Sequence, residues 1–191
     1  MTIDKIFFKE LRDKYTLKNS VRRQVMALSS EAQHLAKQAI FALQQEKISV
    51  ALGLIKDSTK KLKQGEDLGK KIDEIETRGS FRQAQEEWVE AKLFYSLMTS
   101  GKVGGVTDFK VPLEVYLGGL TDMVGEAARF AVTAATRKDK KLVIKLVESV
   151  KEVMGELIAM NLTGYLRNKF DQAKNALRKL EDILYDLSLK A

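Results

Sequence analysis

The chain contains no cysteine and a single histidine. Disulfides, zinc-thiolate sites and thiol catalysis are therefore excluded, and one chain cannot build a histidine-rich metal site. The one histidine, His34, sits in "SSEAQHLAKQAIF" beside Leu35 and reads as an ordinary residue at a helix surface or boundary. Proline occurs once, at Pro112, and β-branched alternation is nearly absent, so little argues for a sheet. No apolar run approaches the ~18 residues of a membrane span. The first residues, "MTIDKIFFKELRDKY", are charged throughout and hold no signal-peptide core. No membrane association and a cytoplasmic location are the expectations.

What is present in excess is charge and helical periodicity. Lysine and arginine total 33 against 26 acidic residues, a formal charge of +7 that favours a polyanionic partner such as nucleic acid. The charges are interspersed, so no basic tail stands out. From Ser20 to Lys47 neither glycine nor proline interrupts. Val21, Val25, Leu28, Ala32, Leu35 and Ala39 step by four and three, the spacing of one helix face. A second helix is expected from Ile48 to about Lys63, with "KQGEDLGKK" as a loop broken by Gly65 and Gly69. A third is expected over Ser80–Met98, followed by a loop, Ser100–Pro112. Pro112 then pre-sets the first turn of a fourth helix, Leu113–Arg137. Helices over Lys140–Met160 and Asn161–Leu189 complete the chain. The last carries Phe170, Ala173, Leu177, Leu180, Leu184 and Leu187, a heptad seam. The expected fold is all-α, a bundle of six to seven long helices forming one domain over residues 1–191.

Two carboxylate pairs are out of place in this pattern. In "EEWVEAKLFY", Glu90 stands between Val89 and Ala91 with Trp88, Leu93 and Phe94 nearby, and Glu87 lies one turn earlier. An ionised carboxylate buried there costs several kcal/mol unless a cation or strong donors compensate it. The fourth helix holds Asp122 and Glu126, four apart and hence on one face, with Arg129 and three glycines, Gly118, Gly119 and Gly125, on or near it. Glycine inside a helix costs ~1 kcal/mol against alanine, so this cluster points to close approach by another helix or a ligand. Two helices presenting two carboxylates each can form a hard oxygen site suited to Mg2+ or Mn2+. By spacing alone the same residues also read as surface charges paired with Arg or Lys. A di-iron bundle is excluded, because its Glu-x-x-His motifs are missing.

Taken together, "EAQHLAKQAIFALQQ", "EEWVEAKLFY", "YLGGLTDMVGEAARFAV" and "LRNKFDQAKNALRKLEDILYDLSLK" resemble, in order and spacing, segments of the translin superfamily. The resemblance spans roughly Val21 to Lys190. It implies a translin-like fold and binding of RNA and possibly single-stranded DNA. One branch, TRAX (translin-associated factor X), supplies the active site of a magnesium-dependent endoribonuclease from a Glu-x-x-Glu and an Asp-x-x-x-Glu. Glu87 and Glu90 match the first pair, and Asp122 and Glu126 the second, so the chain is similar to that branch, and to its homomeric prokaryotic members in size. By this resemblance the four residues are the catalytic and metal-binding set. A homo-octameric shell is the implied assembly, and a non-cutting, translin-like binding protein is the alternative. A helical scaffold with no nucleic-acid role is a third reading. Metal-activated water leaves a 5′-phosphate and a 3′-hydroxyl and does not use the RNA 2′-hydroxyl as nucleophile. Arg78, Arg82 and Arg129 flank the carboxylates and are the candidate RNA contacts, Arg129 being also placed to pair with Glu126. Trp88 and Tyr95 are expected in the core rather than as stacking platforms.

Overall fold

The computed structural model describes residues 3–70 and 79–189. Among them all regular structure is α-helical: α1 Lys5–Gln44, α2 Ile48–Gly69, α3 Gly79–Ser100, α4 Leu113–Thr136, α5 Lys140–Ala159 and α6 Gly164–Leu189. The expected class and the last four helices agree with the sequence reading to within a few residues. The break from Ser100 to Pro112 is also where expected, with Gly101 taking the positive φ of 68° that ends α3.

Two boundaries differ. α1 begins at Lys5 rather than near Ser20, because Asp4 caps it: Asp4 Oδ1 accepts from the backbone N–H groups of Ile6 and Phe7 at 3.0 and 3.1 Å. Residues 3–18 are exposed, so the added turns leave their apolar stripe, Phe7, Leu11 and Tyr15 at steps of four, facing solvent. α2 runs through Gly65 to Gly69 instead of ending near Lys63. Packing overrides the glycine penalty there: a Cβ on Gly65 would stand 3.0 Å from the Phe81 ring.

α1 and α2 form a hairpin whose α1 arm also packs on α3; α3 packs on α4, and α6 on α4 and α5. One core draws on all six helices. Trp88 is fully buried, donates Nε1–H to Thr59 Oγ1 at 2.8 Å, and meets Phe109 of the 100–112 loop edge-on at 6.0 Å. Tyr95 is half-buried against the same core. The α6 seam is used within the chain: Phe170, Ala173 and Leu180 are buried, and Leu177, Leu184 and Leu187 pack partly buried on the core. α3 lies between α1, α2 and α4, so its residues are buried around most of its circumference, and Glu90 is carried inside.

Candidate metal centre

Glu87 and Glu90 project from α3, and Asp122 and Glu126 from α4. Glu90 is 8% exposed. Among the described residues its carboxylate has no hydrogen bond or ion pair. Burial, then the charges of Asp122, Glu87 and Glu126, push its carboxyl up to about 9. All three other expected ligands are near enough to act on its charge. Glu90, Asp122 and Glu126 line one cavity, and Glu87 stands outside its lining.

Each of the other three carboxylates turns to a partner of its own. Glu126 Oε2 accepts from Gln44 Nε2 of α1 at 2.7 Å, and the same amide reaches the Glu126 carbonyl at 2.9 Å. Glu87 Oε2 lies 3.5 Å from Gln33 Nε2 and 3.7 Å from Lys37 Nζ, both on α1. Its carboxyl is raised by burial, with Lys37 and Gln33 opposing. Asp122 Oδ2 accepts a hydrogen bond from Lys169 Nζ of α6, and Lys169 also stands 2.7 Å from Glu86 Oε1. Asp122 is raised by burial against the pull of Lys169. Burial alone would lower the Lys169 ammonium, but its bonds to Asp122 and Glu86 outweigh that and raise it. Among the described residues no three Asp, Glu or His side chains are already arranged to hold a metal ion.

A cavity of about 220 Å³ opens over this cluster, lined by Glu90, Asp122, Glu126 and Lys169 with Thr121, Gly125 and Gln172. The helix glycines divide by role. Gly125 faces open space at the cavity. Gly118 lets the Glu86 side chain lie across α4, where a Cβ would collide with Glu86 Oε2. Gly119 admits the α3 backbone itself: a Cβ there would stand 2.7 Å from the Glu86 carbonyl oxygen and equally near Val89.

Of the candidate RNA contacts, Arg129 is exposed and its Nη1 lies 3.8 Å from Glu126 Oε2. Arg82 is exposed on α3. Arg78 falls outside the described residues. His34 is exposed and shares a 3.1 Å hydrogen bond with Gln38. Sequence reasoning missed Lys169, Glu86, Gln33 and Gln44. Glu86 had a weak signal as the first carboxylate of "EEWVE"; Lys169 and the two glutamines had none, since they reach the site from distant helices.

The profile of the Translin family matches residues 20–191. Chicken translin (Gallus gallus) is 30% identical over 83 residues, which are 43% of this chain and 36% of that protein. Human translin (Homo sapiens) is 28% identical over a stretch with the same shares. The chain therefore spans little more than a third of the length of these curated relatives. Among solved structures, apo-NeC3PO superposes with a TM-score of 0.87 at 19% identity, covering 98% of this chain and 99% of that one. AfC3PO gives 0.87 at 20% identity, over 96% and 97%. AfC3PO in complex with duplex RNA gives 0.73, also at 20% identity and with the same coverage. At these identities the likeness shows a shared fold.

Proposed function

This chain belongs to the Translin family, and on that premise we propose that it is a metal-dependent endoribonuclease of the TRAX-like type, acting on RNA in the cytoplasm from within a homo-octameric shell. The observation that carries the reading is Glu90: a buried carboxyl with no hydrogen-bond partner among the described residues, sharing a cavity with Asp122 and Glu126 and acted on by the charge of Glu87. A fold has little use for such a group unless a cation joins it. The donor set fits a hard divalent ion in chemistry and charge, being all oxygen with no imidazole or thiolate in reach. Glu87, Glu90, Asp122 and Glu126 would hold Mg2+ or Mn2+. Such an ion supplies Lewis acidity toward a phosphodiester oxygen and a water of lowered pKa.

The chain's own residues do the rest. Gln44 fixes the Glu126 carboxylate through Oε2, leaving Oε1 for the ion, and a carboxylate oxygen of the set that the ion does not engage would accept a proton from the attacking water. The burial of Glu90, 8% exposed, strengthens each charge interaction it makes. Arg82 and Arg129 are the proposed phosphate contacts, with Arg78 as a third on the sequence reading alone. The duplex RNA bound by AfC3PO supports RNA as the ligand class. Two features support self-assembly. The chain exposes 11638 Å², whereas a compact chain of 21.5 kDa exposes about 9,200 Å². The α1 arm also presents Ile6, Phe7, Leu11 and Tyr15 to solvent.

A second reading, a translin-like protein that binds RNA or single-stranded DNA without cutting, is favoured by the lack of a preformed metal cage among the described residues and by Lys169 at Asp122. Magnesium-dependent cleavage of RNA, with and without EDTA, decides between them when run on the parent, Glu90→Gln and Asp122→Asn. The nuclease reading expects cleavage to fall by orders of magnitude in both variants while RNA affinity holds or rises. Intact binding with no cleavage by the parent would establish the second reading, and unchanged cleavage in both variants would end the first.

A further inference from the structure

Lys169 is an unusual neighbour for a cation site. Its side chain is 13% exposed, and its ammonium lies between Glu86 Oε1 at 2.7 Å and Asp122 Oδ2. Nζ also sits 5.3 Å from the Tyr165 ring centroid, over its face. Tyr165 in turn donates its hydroxyl to Glu86 Oε1 at 2.7 Å, and Glu86 is seated across Gly118. Glu86 and Tyr165, which hold the ammonium, are thus themselves held. A buried ammonium is tolerated only where carboxylates compensate its lost hydration, and here two do. One of those two, Asp122, is among the residues assigned to a divalent ion.

We propose that Lys169 is a built-in counter-cation that closes the metal-free cluster and competes with the divalent ion for Asp122, so that it sets the metal affinity of the site. This rests on the metal-centre reading of the four carboxylates. The physical reason is charge: a divalent ion entering beside a fixed ammonium meets repulsion, and Asp122 Oδ2 cannot serve both cations fully. The device lets five carboxylates, Glu86 included, be packed together before any metal arrives. Lys169 is therefore a positioning residue, acting through Asp122.

The test is binding of Mn2+ to the full-length protein, followed by the electron paramagnetic resonance signal of free Mn2+, with thermal unfolding in EDTA alongside. Lys169→Met is expected to bind Mn2+ about tenfold or more tightly than the parent and to melt lower in EDTA, with Mn2+ restoring the loss. Lys169→Arg, which keeps the charge, is expected to stay near the parent in both. Lys169→Gln keeps a donor to Asp122 without the charge and should follow the methionine variant, which covers the case in which Lys169→Met does not fold. Equal or weaker Mn2+ binding by a folded, uncharged variant, with the parent binding normally, overturns the role of Lys169 alone. Absence of Mn2+ binding in both parent and variants overturns the metal centre and this inference together. Binding that emerges only in the uncharged variants supports competition in its strongest form.

Discussion

Replacing Glu90 with glutamine in the metal-free protein tests whether this carboxyl is uncompensated. The unfolded chain titrates it near its ordinary value of 4.5, whereas the folded chain holds it up to about 9. Below the lower value both states are protonated and Glu90 contributes no penalty. As pH rises, the unfolded chain releases the proton first, so folding stability falls by about 1.4 kcal/mol per pH unit until the folded value is reached. At neutral pH the accumulated penalty is about 3 kcal/mol. Glutamine is nearly isosteric with the protonated acid and does not titrate, so the variant escapes that loss. In EDTA at about pH 7 it should therefore melt higher than the parent, by about 6–12 °C for a chain of this size. The two should converge near pH 5, and the gap should widen toward pH 8. Thermal unfolding by circular dichroism across that range measures it. If Glu90→Gln melts lower than the parent at neutral pH in EDTA, Glu90 is an ionised, compensated member of an ion pair and the reasoning fails.

Two further outcomes follow from the same geometry. Gly119→Ala forces a methyl against the Glu86 carbonyl and Val89, both 2.7 Å from its Cβ position, and is expected to cost about 1–3 kcal/mol in urea denaturation. Gly118→Ala drives the Glu86 side chain off its bonds to Lys169 and Tyr165, a loss that a gain of about 1 kcal/mol in helix propensity offsets only in part, so it should also destabilise, but less so in a Glu86→Ala background; an equal loss at Gly118 in both backgrounds would refute the division of roles. For assembly, light scattering at micromolar concentration is expected to give the mass of an octamer, and a stable monomer would refute it.

Much of the fold was legible because helices write their burial into a local period. The stripe from Val21 to Ala39, the break at Ser100–Pro112 and the α6 seam each follow from residues a turn apart. The same period puts Glu87 with Glu90, and Asp122 with Glu126, on single faces by local geometry alone. The start of α1 was missed although it left local marks: Asp4 caps the helix and Phe7, Leu11 and Tyr15 step by four, but that stripe is exposed and lies outside the core cluster. Gly65 and Gly69 misled because propensity was read without the Phe81 ring that packs against Gly65. What only tertiary structure decided is who neutralises the carboxylates. Lys169 meets Asp122 across 47 residues of chain, and Gln44 meets Glu126 across 82. Hydrogen bonds and ion pairs depend on distance in space, and in a helix bundle that distance is set by which helices pack together. Local sequence fixes the face on which a charge sits, and the packing of α1 and α6 against α3 and α4 fixes what it faces.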